Sequence, residues 1–124
     1  MFIGTAAEAA DLLAPLFVSH ERELVVVLHL GSGQRLLAVT LEEPGSPERA
    51  ELPIRAIVAK ALLMGAEAIV IAHNHPSGSR EPSAADESAT RALASAAAGV
   101  GIRLHDHLIF ASGECRSFRE LGLI

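Results

Sequence analysis

The sequence predicts an α/β domain in which helices cover a mixed β-sheet, with elements in the order α-β-β-α-β-α-β-β. Three observations carry this. Stretches with a helical apolar stripe alternate with short continuous apolar runs, the pattern of helices packed on strands that are covered on both faces. Half of the residues are hydrophobic but only 3% are aromatic, with no Trp or Tyr, so the core is built from Ala, Val, Leu and Ile, and the alanines point to closely packed helices. At 124 residues the chain is long enough for one real core and too short for two, so residues 1–124 read as a single domain.

Residues 5–19 read as the first helix, opened by a capping box in which Thr5 accepts from a free backbone N–H and Glu8 reaches back. Leu12, Leu13, Leu16 and Phe17 form its apolar stripe, while Pro15 predicts a kink or an earlier end. Leu24 to Leu30 and Arg35 to Leu41, joined by Gly31-Ser32-Gly33, read as a hairpin with both strands central enough to be covered. Residues 42–50, rich in Glu, Pro and Gly, read as a loop. Pro53 then suits the first turn of a helix running to about Met64 and stopped by Gly65. Glu67 to Ala72 is an apolar strand that delivers the chain into His73-Asn74-His75-Pro76-Ser77-Gly78, where Pro and Gly forbid more sheet. A long helix is expected from Ser83 to Gly99 or Gly101. Two short strands, about 102–110 and 114–118, and a last turn at 118–121 complete the chain.

Bulk properties exclude several function classes. The apolar runs are far shorter than the ~20 residues that span a bilayer, and the N-terminus lacks the basic and apolar regions of a signal peptide. The lone Cys115 has no internal disulfide partner, which fits a reducing cytoplasm. A net charge of −5, with Lys60 the one lysine and the arginines scattered, disfavours binding to a phosphate backbone, although folding is free to gather Arg80, Arg91 and Arg103.

Chemistry concentrates around residues 73–86. In extended backbone, residues i and i+2 point to the same side, so His73 and His75 can meet one ion where the strand ends. The loop through Pro76, Gly78 and Pro82 can fold the first turn of the next helix back, bringing Asp86 as a third, anionic ligand. Two neutral nitrogens and one carboxylate leave a fourth tetrahedral position for water, the open arrangement of catalytic zinc; a structural site would want cysteines. One Zn2+ ion is the expected cofactor. Ser83 and Asp86 also fit a variant capping box, Ser-x-x-Asp, which is a purely structural account of both.

His73-Asn74-His75-Pro76-Ser77-Gly78 through Pro82-Ser83-Ala84-Ala85-Asp86 resembles the JAB/MPN (JAMM) zinc metalloprotease superfamily, with its His-x-His-Pro and Ser-x-x-Asp signature, and more narrowly its RadC-like branch. That branch also shares Gly101-Ile102, Asp106-His107-Leu108-Ile109 and Ser117-Phe118-Arg119-Glu120, so the resemblance runs from about Glu23 to the end of the chain. It implies a cytidine-deaminase-like sandwich. It further implies that Glu23, at the start of the first strand, is the base for the attacking water and that Ser83 donates a hydrogen bond to the oxyanion. Glu21, two residues earlier, is able to point the same way as Glu23. The chain is read as starting directly with the domain, without the helix-hairpin-helix segment that precedes it in RadC proteins, and Pro44-Gly45-Ser46-Pro47 stands where the family has a Gly-Thr-rich connection.

The expected activity is zinc-dependent hydrolysis of peptide or isopeptide bonds, with a protein or peptide as partner, no membrane, and nucleic acid disfavoured but left open. The sequence does not fix the oligomeric state. The competing readings are a metal-binding interaction module without turnover and a DNA-processing factor of RadC type. His105-Asp106-His107 is a second His-x-His without a turn or a downstream carboxylate; its residues read as a satisfied polar group, with a supporting role for Asp106 or His107 behind His73 or His75 as the functional alternative. His20 and His29 read as surface or packing residues, and Cys115, despite flanking arginines, as an inert thiol.

Overall fold

The computed structural model describes residues 1–18, 22–43 and 52–124. Among these residues three α-helices and five strands follow one another in the order α1 (Ala6–Phe17), β1 (Val25–Leu30), β2 (Leu36–Glu42), α2 (Ile54–Leu63), β3 (Ala68–Asn74), α3 (Ala84–Ala98), β4 (Arg103–Ala111) and β5 (Glu114–Ser117). This is the expected order. The expected loop over 42–50 and residues 19–21, which include His20 and Glu21, lie wholly or mostly outside the described residues.

Local chemistry explains the element ends. The α1 N-terminus is capped by Thr5, whose hydroxyl accepts from the Glu8 N–H, while the Glu8 carboxylate reaches past Thr5 to the Gly4 N–H. The helix passes through Pro15 and stops at Phe17; so close to the end, the hydrogen bond that proline removes costs least. Between β1 and β2 the chain turns through Gly33 and Gln34, both at positive φ. Among the described residues no helix is long and apolar enough to cross a membrane.

The sheet order is β2-β1-β3-β4-β5. β1 pairs antiparallel with both β2 and β3, β3 pairs parallel with β4, and β5 closes antiparallel against β4. One expectation is corrected here: β1 is central and buried throughout, but β2 is an edge strand that leaves Leu37, Val39 and Leu41 partly exposed. Its apolar composition resembles that of a covered strand, yet only alternate side chains gain cover. α1 packs on one face over Val26, Leu28, Val70, Ala72, Leu108 and Phe110, whereas α2 and α3 cover Val25, Val27, Ile69 and Ile71 on the other through Ile57, Ala61, Leu93 and Ala97. The helix–sheet–helix sandwich is thus an open mixed sheet with two aliphatic cores.

The parallel pair fixes where a site can form. Parallel neighbours require a crossover; here it is α3, so the helix starts beside the carboxyl end of β3, where His73 lies.

Candidate metal centre

β3 runs further than its apolar residues suggest, through His73 and Asn74, and the His75 N–H continues the pairing with β4 by donating to the Phe110 carbonyl at 2.9 Å. His73 and His75 therefore keep the two-residue alternation and share the α3 side of the sheet. The turn that follows closes with the Gly78 N–H on the His75 carbonyl at 3.0 Å. Gly78 sits at φ +91, a conformation that glycine adopts without strain. The returning loop is fastened to the β4–β5 hairpin by the ion pairs Arg80–Glu114 and Arg116–Glu81 and by the Ser112 hydroxyl on the Gly78 carbonyl.

The loop delivers Ser83 to the N-cap of α3 in a complete capping box: the Asp86 N–H donates to Ser83 Oγ at 3.0 Å and the Ser83 N–H donates to Asp86 Oδ2 at 2.8 Å. The structural account of Ser-x-x-Asp is therefore correct, and it does not displace the other. Held in this way, the buried carboxylate also faces the histidines, with Oδ1 3.4 Å from His73 Nε2 and Oδ2 3.1 Å from His75 Nε2. The two Nε2 atoms are 3.0 Å apart.

These separations identify what fits between the three groups. Ligands at tetrahedral angles around zinc, at bond lengths of ~2.0–2.1 Å, lie ~3.3 Å from one another; the imidazole nitrogens are 3.0 Å apart, each is 3.1–3.4 Å from a different Asp86 oxygen, and one ligand atom from each residue lies within 4.8 Å of the others. The outer nitrogen of each imidazole is already engaged, His75 Nδ1 with the Ser79 carbonyl at 2.6 Å and His73 Nδ1 with His107 Nε2 at 2.6 Å. A carbonyl only accepts, so His75 carries a proton on Nδ1, the tautomer whose neutral ring presents Nε2 as a ligand. Burial opposes ionisation of Asp86, yet the contact with the His73 ring and the hydrogen bond from the Ser83 backbone outweigh it and hold the carboxyl well below the usual aspartate range. The cluster is geometrically suited to a divalent metal ion, and its imidazole and carboxylate donors suit zinc.

Glu23 is half-buried just before β1. Because Val25 pairs with His73 in the antiparallel register, continuing that register sets Glu23 opposite His75. Asn74, between the two histidines, grips the backbone on both sides of Glu23, accepting from the Leu24 N–H at 2.7 Å and donating to the Arg22 carbonyl at 2.9 Å. Sequence reasoning passed over this asparagine, although an amide between two ligands pointing to the opposite face was the available signal. Ser83 is exposed, and its Oγ, having accepted from Asp86, keeps a proton to donate.

The second His-x-His divides. His107 reaches His73, whereas the His105 ring lies near the Gly4 backbone, and His105 is the residue that the β3–β4 register skips where it shifts between Ile69 and Val70. Asp106 turns away from the ligands to hold the C-terminal turn, accepting from Ser117 Oγ at 2.6 Å, the His107 N–H at 2.7 Å and the Arg119 N–H at 3.0 Å. Thr90, which the sequence reading missed, contacts His107 Nδ1 at 2.6 Å; its position four residues after Asp86, on the same helix face, was the clue. His29 is a packing residue, buried in β1 against Thr40. The Cys115 thiol is pushed up to about 11 by burial and then by Asp106 and Glu120, so the flanking arginines do not activate it. A cavity of about 430 Å3 beside Phe17, Pro76 and Phe110 reaches the edge of the cluster, because His75 and Asn74 also line it.

Comparison with known proteins agrees with this geometry. The RadC-like JAB domain family matches residues 3–123. The chain is 42% identical over 114 residues to a UPF0758 protein of Methylibium petroleiphilum, covering 92% of this chain and 51% of the relative. It is 41% identical over 121 residues to one of a Polaromonas species, with 98% and 54% covered, and 35% identical over 124 residues to one of Salinibacter ruber, with 100% and 53% covered. The chain thus spans about half the length of these curated relatives. The His-His-Asp cluster matches the JAMM metal-binding motif and gives the centre a metalloprotease-like character. Sequence match, strand order and the converged cluster agree that this chain belongs to the RadC-like JAB domain family.

Proposed function

We propose that the domain is a zinc-dependent hydrolase of peptide or isopeptide bonds, with His73, His75 and Asp86 holding one zinc ion. Zinc bound there would supply an acidified water and an electrophile for the scissile carbonyl. The chain supplies the rest. The Glu23 carboxylate accepts the proton of the attacking water and passes it to the leaving amine. The Ser83 hydroxyl donates to the carbonyl oxygen as negative charge builds there. The observation that carries this reading is the convergence of two imidazole nitrogens and a carboxylate, three protein donors among the described residues, which suits an open catalytic site better than a closed structural one. The lone Cys115 supports a cytoplasmic setting, and the substrate class, a protein or peptide, is the one the amide chemistry requires.

The test is metal content followed by turnover. Wild type purified without added metal is expected to carry about one zinc per chain, and His75→Ala and Asp86→Ala to carry little. Against a peptide library, Glu23→Gln should keep its zinc and lose ~10²-fold or more in turnover. Negligible zinc in all three proteins sinks the metal assignment. A Gln variant that cleaves at the wild-type rate removes Glu23 as the base, and zinc without turnover on any amide favours the passive module.

A further inference from the structure

Behind the metal ligands runs a buried chain of three hydrogen bonds: His73 Nδ1 to His107 Nε2, His107 Nδ1 to Thr90 Oγ1, and Thr90 Oγ1 to the Asp86 carbonyl, each 2.6 Å long. We propose that His107, backed by Thr90, is a positioning residue that sets which nitrogen of His73 faces the metal and couples that ring to the helix turn carrying Asp86. The proposal rests on the metal reading of the cluster.

Counting protons gives the chain a direction. Two oxygens 2.6 Å apart need a proton between them; a carbonyl has none, so the Thr90 hydroxyl proton points at Asp86. Thr90 Oγ1 is then an acceptor toward His107, whose Nδ1 must carry the proton. His107 is buried, and its two ring nitrogens meet the Thr90 hydroxyl and the His73 ring rather than a carboxylate, so the ring keeps the single proton on Nδ1 and Nε2 is bare. A bare Nε2 accepts from His73 Nδ1–H, which leaves His73 Nε2 as a lone pair directed at the cluster. Reversing any link would place a proton where the metal ligand is needed. Ligating histidines usually rest their outer N–H on a carboxylate, carbonyl or water; here the acceptor is an imidazole, so its orientation needs support of its own. Phe118 stacks on the His107 ring at 4.3 Å, and Thr90 holds its far nitrogen.

Thr90→Val keeps the shape and deletes the hydroxyl, His107→Phe deletes both ring nitrogens, and His107→Gln restores an acceptor for His73 and a donor for Thr90. We expect the first two to weaken zinc binding ~10- to 100-fold, measured by chelator competition on the apoprotein, and His107→Gln to recover most of it. The tautomer is read separately. Nitrogen-15 NMR of the zinc-free wild type at mildly alkaline pH should show His73 protonated at Nδ1, with loss of that single form in Thr90→Val. Wild-type affinity and an unchanged tautomer in Thr90→Val overturn the proposal, as does His107→Gln binding no better than a folded His107→Phe. If the wild type binds no zinc, the metal reading fails while the tautomer measurement still decides whether His107 orders His73.

Discussion

Replacing Ser83 by alanine removes one hydroxyl with two consequences of different size. In the helix, Oγ accepts only from the Asp86 N–H at 3.0 Å, and Ser83 is exposed, so no cavity opens and the freed N–H turns to water. The loss is that of a side-chain cap, ~1 kcal/mol, or about 4 °C in Tm for a domain of this size. The reciprocal bond, from the Ser83 backbone N–H to Asp86 Oδ2 at 2.8 Å, survives any side-chain change, so the third ligand stays oriented and zinc content should not change. Turnover, in contrast, should fall ~10²- to 10³-fold if the hydroxyl stabilises the oxyanion. Ser83→Gly makes the comparison sharper, because glycine costs a cap only a few tenths of a kcal/mol while deleting the same hydroxyl. The assay measures initial rates on a peptide cleaved by the wild type, alongside thermal unfolding and zinc content of both variants. Equal turnover losses with unequal stability losses are expected. Wild-type turnover in either variant, or a loss that follows stability and spares Ser83→Gly, would reduce Ser83 to a cap.

Two further outcomes follow from the same structure. Burial holds His29, His105 and His107 below the usual histidine range; the unfolded chain then binds more protons as pH falls through ~6.5, and apoprotein stability is lost in that direction by up to ~1.4 kcal/mol per pH unit per histidine. A denaturant series from about pH 8 to about pH 5 checks this, and a flat profile would contradict it. Asn74→Ala removes two bonds to the backbone flanking Glu23, worth ~1 kcal/mol each, and should lower turnover while zinc content stays at the wild-type level; loss of zinc in step with turnover would show that Asn74 acts on the ligands instead.

Much of this site was legible in the sequence because it lies within fourteen residues, from His73 to Asp86, where strand alternation and a helix N-cap set geometry locally. Two histidines at i and i+2 had to share a face, and Ser-x-x-Asp had to open a helix. That the capping carboxylate also meets the imidazoles depends on how far the Pro and Gly loop folds back, which spacing suggests and the hairpin contacts of Arg80 and Ser112 enforce. The parts that were hidden need inter-strand register. Asp106 and His107 are neighbours with equal claims on paper, and only the pairing of β3 with β4 sends one to His73 and the other to Ser117. The edge position of β2 was hidden for a simpler reason. Leu36 to Leu41 is as apolar as a covered strand, and nothing local records that one side has no neighbour.

The mixed pairing of the sheet accounts for the site's location. A parallel β3–β4 pair needs a crossover helix, and that helix can present its first turn, with Ser83 and Asp86, only at the carboxyl end of β3. An antiparallel β1 beside β3 starts where β3 ends, so the residue entering β1, Glu23, arrives at the same place from the other side. Were β1 parallel to β3, its entry would lie at the far end of the sheet and no base on it would reach the ligands. β4 then fills the remaining side with His107. One strand end therefore collects the ligands, the candidate base, the candidate oxyanion donor and the buried hydrogen-bond chain. The surrounding Val, Leu, Ile and Ala residues supply rigidity without offering a competing ligand, so the chemistry is concentrated where the strand directions change.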